Sequence, residues 1–141
     1  AWDAIALDTT RLGPEEVVER MLAAVKARQG KPVDLGRLAG IHRQSPRPYL
    51  EALRTGGISA GLYRVPRGSG GDQPPHGEEK VYLVLEGRGR FRMGDEEFAL
   101  EPGQLFTVPA RVEHGFHSIT DDLLLLAIFA PPEGTVSQTP D

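Results

Sequence analysis

His76-Gly77-Glu78-Glu79-Lys80-Val81-Tyr82-Leu83-Val84-Leu85-Glu86-Gly87 changes character partway along its length. Pro74-Pro75 stiffens the chain just before it, charged residues open it, and residues 81–85 form an unbroken apolar run closed by Glu86-Gly87. A short apolar run bounded by turn residues reads as a strand. Working outward, the same period-two signals recur on both sides. Residues 59–65 read as a strand ending at Pro66, and residues 68–72 as a flexible, Gly-rich loop on the rim. Residues 89–93 and 97–100 flank Gly94-Asp95-Glu96, a tight hairpin signal. Residues 105–108, 114–119 and 123–129 complete the set, separated by Glu101-Pro102-Gly103 and Pro109-Ala110-Arg111. Short strands with turns every 8 to 12 residues or so indicate an all-β barrel or sandwich rather than βαβ units.

Residues 1–55 differ in kind. Gly13-Pro14-Glu15-Glu16 is a helix start, with proline in the first turn and acids at the positive end of the dipole. Val18, Met21, Leu22 and Val25 recur at helical spacing, and Gly30 with Pro32 stops the helix. Its apolar stripe carries no polar group suited to chemistry, so it reads as a cover on the barrel or a contact between copies. Residues 40–54 are ambiguous, because Pro46 and Pro48 interrupt any regular element. Three regions follow: an N-terminal helix and connection over 1–55, a β-barrel over 56–130, and a disordered tail over 131–141.

Composition narrows the function. With 16 Lys+Arg against 20 Asp+Glu the net charge is −4, and no basic stripe is present, which argues against nucleic acid as a partner. The apolar run over 123–130 is far shorter than the roughly 20 residues of a membrane helix and reads as a strand buried on both faces. The absence of cysteine removes disulfides, thiolate sites and cysteine nucleophiles, and suits a reducing compartment such as the cytoplasm. The sequence opens on Ala1, which is compatible with removal of a targeting peptide upstream. No nucleophile elbow surrounds Ser59, Ser69 or Ser118, and no phosphate loop precedes a helix.

The histidines carry the chemistry. His76 precedes one strand, while His114 and His117 open another. Neutral imidazole is the commonest ligand of divalent metals, and Glu78 or Glu79 would supply oxygen. Here a resemblance becomes specific. Residues 76–87 resemble the first motif of the cupin superfamily, and Gly103-Gln104-Leu105-Phe106-Thr107-Val108-Pro109-Ala110-Arg111-Val112-Glu113-His114 resembles the second. Residues 49–131 are similar to small single-domain bacterial cupins of uncharacterised function. The resemblance implies a double-stranded β-helix, or jelly-roll, barrel with a His-lined pocket, and often a homodimer.

Cupins typically hold a metal through three histidines and one acid. Counted back from Gly87, the acid position is Lys80 and the histidine positions are Pro74 and His76, with His114 in the second motif. Only His76 and His114 match. Strand alternation turns Lys80, Tyr82 and Val84 inward, and a buried ammonium needs a partner. A local bulge would instead bring Glu79 inward and complete a site of His76, Glu79 and His114, with Glu78 or His117 as a further ligand. A metal-free polar pocket holding Lys80 is the second reading, and a solvated loop the third. Parity places His117 on the face opposite His114, which favours a surface role for it. Tyr82, Phe91 and Phe106 are the expected pocket walls, and Arg90 and Arg92 read as an exposed strand face.

Two functions remain open at this point. One is a metal-dependent oxygenase, isomerase or lyase acting on a small molecule, using Fe, Mn, Ni, Cu or Zn. The other is a metal-free cupin that binds a small acidic or sugar-like molecule without turning it over.

Overall fold

A computed structural model describes residues 32–73 and 75–134. Among these residues one helix, α1 (Leu35–His42), precedes seven strands: β1 (Tyr49–Arg54), β2 (Ser59–Val65), β3 (Gly71–Gln73), β4 (Glu79–Met93), β5 (Glu96–Leu100), β6 (Leu105–Val108) and β7 (His114–Ala130). All pairings are antiparallel. The expected helix over 13–30 lies outside the described residues.

The two long strands make the barrel. The first half of β4 pairs with the second half of β7, Glu79 opposite Ala130 through Val84 opposite Leu125. Its second half pairs with the first half of β7, Arg88 opposite Asp121 through Met93 opposite His114. Between them the register shifts repeatedly over 84–90, so both strands turn a corner together. Gly87 sits at that corner with φ 95°, where an added Cβ would collide with the carbonyl oxygen of Asp122. One side of the fold is β1-β2-β7-β4-β6, and the other is β3-β7-β4-β5. What the sequence presents as two pairs of separate strands is thus two bent ones. The sheet also starts earlier than residue 56, because Tyr49 to Arg54 pairs with β2 as an edge strand.

Alternation along β7 explains its run of leucines. Leu123, Leu125, Ala127 and Phe129 are buried inside the barrel with Tyr82, Val84, Phe91 and Phe116. Leu124 and Leu126 face the other way, against Leu38, Leu50 and Leu62. The second cluster exists because α1 covers the outer face of the sheet, capped at its start by Asp34, whose carboxylate accepts from the Arg37 amide. Beyond β7, residues 131–134 are held against the barrel: the Glu133 amide donates to Ser59 Oγ (2.8 Å) and the Gly134 amide to Glu78 Oε1 (2.7 Å). The tail expected from residue 131 therefore begins, at the earliest, after Gly134; residues 135–141 lie outside the described set.

Candidate ligand pocket

The register of β4 decides what the pocket contains. Pairing with β7 is unbroken from Glu79 to Val84, so no bulge intervenes, and parity alone sets each side chain's face. Lys80, Tyr82 and Val84 point inward, at 1 %, 0 % and 1 % exposure. Glu79 points out and is exposed. The expected inward turn of Glu79 does not occur, since nothing in the ladder supplies the extra residue it requires.

Lys80 is held by polar neighbours inside an aromatic shell. Its Nζ donates to His114 Nε2 (2.7 Å) and to the Tyr82 hydroxyl (3.0 Å), and lies 3.4 Å from the Gln73 side-chain amide. The Tyr82 and Phe129 ring centroids stand 5.0 and 5.7 Å away. Burial pushes the Lys80 ammonium down to about 7, outweighing the attraction of Glu78 and Glu133. His114 Nδ1 donates to the Val112 carbonyl (2.9 Å), which leaves Nε2 as an acceptor. Burial, reinforced by Lys80, lowers His114 to about 4, so its imidazole is neutral at physiological pH. Gln73, opposite His114 in the β3–β7 pair, donates its side-chain N–H to the Tyr63 hydroxyl (2.6 Å), and its Oε1 lies 3.0 Å from His114 Nε2, two acceptors facing the Lys80 amine.

His76 reaches the same space from the loop before β4. Its carbonyl accepts from the amide of Arg111 (2.6 Å), a residue at φ 67° in the turn before β7, which ties the two motifs together. The His76 and His114 ring centroids are 5.4 Å apart, and burial lowers the His76 pKa. A cavity of about 260 Å³ opens between these groups, lined by His76, Lys80, Tyr82 and Gln73 together with Tyr49, Tyr63, Phe129 and Glu133. Tyr49 places its hydroxyl against the backbone at Gly61, where an added Cβ would come within 2.7 Å of it. That hydroxyl is buried and meets no hydrogen-bond partner among the described residues.

Other expected pocket residues lie elsewhere. Phe91 and Phe106 do not line the cavity; they pack behind Tyr82, with ring centroids 6.1 and 5.5 Å from it, because the aromatic cluster fills that part of the barrel. Glu78 is 1 % exposed but spends Oε1 on the Gly134 amide, and its Oε2 meets no partner among the described residues. His117 sits on the outer face, its Nε2 3.0 Å from Glu97, which also accepts from Arg90 Nε (2.7 Å). Arg92 pairs with Asp72 (2.7 Å), as an exposed strand face would. Sequence reasoning missed Tyr49, Tyr63, Gln73, Phe129 and Glu133. For Tyr63 the signal was present, since it is an aromatic residue in a recognised strand.

Two bent strands closing an antiparallel barrel over a polar cavity define a cupin-type fold. The cupin domain family matches residues 61–129. Uncharacterized protein SCO3923 of Streptomyces coelicolor is 41 % identical over 85 residues, 60 % of this chain and 81 % of that one. The crystal structure of TT1209 from Thermus thermophilus is 31 % identical with a TM-score of 0.59, covering 72 % of this chain and 97 % of that one. The structure of BH2720 from Bacillus halodurans superposes with a TM-score of 0.62 at 18 % identity, over 75 % and 86 % of the two chains, and supports the fold alone. The chain belongs to the cupin family.

Members of that family often bind a metal. The donor set present here does not fit one. Lys80 occupies the acid position with its nitrogen on His114 Nε2, the atom that would ligate. Glu79 faces solvent, and the described residues bring no three His, Asp or Glu side chains together. A cation placed between His76 and His114 would meet a lysine nitrogen in place of a carboxylate.

Proposed function

We propose that this cupin works without a metal and binds a small carboxylate-bearing molecule in the cavity beside Lys80. The observation that carries the reading is the inward Lys80, hydrogen-bonded at 2.7 Å to the one second-motif histidine. Two further features support it. The volume of about 260 Å³ lies just under the roughly 300–1,000 Å³ of drug-sized clefts and suits a small metabolite. Aromatic rings of Tyr49, Tyr63 and Phe129 give it apolar walls. The Tyr49 hydroxyl, buried in the wall against Gly61, is a donor with no described partner.

An incoming carboxylate changes the charge state of the site. It supplies the counter-charge that burial denies Lys80, favours the ammonium, and gains a charge-assisted hydrogen bond. His76 and His114 stay neutral beside it and add polar contacts without competing charge. The metal-dependent oxygenase, isomerase or lyase would require an acid in the place Lys80 takes. Calorimetric titration with a panel of small mono- and dicarboxylates tests the proposal. Binding to the native chain that disappears in Lys80→Met supports it; no binding by any member, or equal binding by the variant, overturns it.

A further inference from the structure

Lys80 carries a chemistry that reversible binding does not use. We propose that its amine captures a small aldehyde or ketone as an imine inside the cavity, an inference that rests on the metal-free reading above.

The geometry of the nitrogen argues for it. Nζ lines a cavity large enough for a small carbonyl compound, at the end of a side chain that is otherwise enclosed. Two of its positions are engaged by close partners, His114 Nε2 at 2.7 Å and the Tyr82 hydroxyl at 3.0 Å. Among the described residues the third meets only the Gln73 amide at 3.4 Å, on a side chain that itself lines the cavity. Desolvation among apolar walls is a recognised way to activate a lysine toward carbonyl groups.

The partners of Nζ match the proton transfers that imine formation needs. The nitrogen lone pair forms the C–N bond while the carbonyl π pair moves to oxygen. His114 Nε2, held as an acceptor by the Nδ1–H bond to Val112, takes the proton that the nitrogen sheds. The Tyr82 hydroxyl, kept protonated by complete burial, is the nearest acid for the oxygen. The proton held by His114 then passes to the resulting hydroxyl, which departs as water while the nitrogen lone pair forms the C=N bond. The Tyr82 phenolate recovers its proton from the iminium nitrogen. One water is released per imine, and nothing is oxidised or reduced.

Reductive trapping tests the inference on the native chain. Pyruvate and propanal serve as probes, sodium cyanoborohydride as the trap, and intact-mass analysis followed by peptide mapping as the readout. Lys26 and Lys31 are the comparators, since these with Lys80 are the chain's lysines. The expected result is an adduct on Lys80 at neutral pH, formed at least about tenfold faster than on either comparator, and absent from Lys80→Arg. An unmodified Lys80, or one no faster than the comparators, overturns the inference. If pyruvate still binds reversibly by calorimetry in that case, only the imine step is lost. If it does not bind and the purified chain carries a stoichiometric metal, the metal-free reading falls as well.

Discussion

The Lys80 amine lies 2.7 Å from Nε2 of His114, whose Nδ1–H is committed to the Val112 carbonyl. The imidazole therefore has one lone pair to offer, and the lysine takes it. A buried cation is expensive unless fully paired, and here no carboxylate reaches the nitrogen within salt-bridge distance among the described residues. The barrel keeps a costly group in its interior, in the manner of a site retained for binding or chemistry rather than for stability.

Lys80 should make stability depend on pH in the alkaline range. An ordinary lysine titrates at 10.5 and this one, when folded, at about 7, so the folded state holds fewer protons between those values. Stability is then fullest above the unfolded pKa, declines as pH falls from 10.5 toward 7, and is flat with respect to this group below 7. Urea unfolding of the native chain and of Lys80→Met across that window measures the difference. The variant should be the more stable at neutral pH, by about 1–4 kcal/mol, with the gap closing toward high pH.

Tyr49 should separate stability from binding. Its hydroxyl is buried without a partner among the described residues, so Tyr49→Phe removes a desolvated polar group. Stability by thermal unfolding should be unchanged or raised by up to about 1 kcal/mol, with affinity for the carboxylate that binds the native chain changed by less than about threefold.

Gly61→Ala should damage the same wall from behind. The new methyl would stand 2.7 Å from both Cζ and Oη of Tyr49 and against the Leu50 carbonyl, so the ring or the β1–β2 pair must move. A stability loss of about 1–3 kcal/mol with weakened ligand binding is expected from overpacking, read by denaturant titration and calorimetry.

Outside the pocket, effects should separate cleanly. Leu38 is fully buried between α1 and the sheet, and Leu38→Ala should cost about 2–5 kcal/mol while leaving ligand affinity intact. His117→Ala breaks a half-exposed contact with Glu97 and should change stability by less than about 1 kcal/mol, with no effect on binding.

The barrel was legible in the chain because strand period, turn residues and the two motifs agree. Residues 59–65 and 105–108 coincide with β2 and β6. The merging of four expected strands into β4 and β7 was not visible, since Gly87 and residues 120–122 read locally as breaks between strands and only long-range pairing makes them corners. Within the site, His76, His114, Lys80 and Tyr82 were recognisable from motif position and alternation. The choice between Glu79 and Lys80 was not, because a bulge leaves no mark in a run of charged residues. Tyr49 was hidden by the prolines before it, and Glu133 by a Pro- and Gly-rich stretch that resembles a free tail but is pinned through Ser59 and Glu78.

The most direct test of the central claim is elemental analysis of the chain purified without chelator or nickel resin, before and after supplementation with Fe, Mn, Ni, Cu and Zn. With Lys80 on His114 Nε2, metal should stay well below one equivalent per chain, and Lys80→Glu should raise uptake by giving His76 and His114 a carboxylate partner. One equivalent of tightly held metal on the native chain, unaffected by substitution of Lys80, would contradict the account.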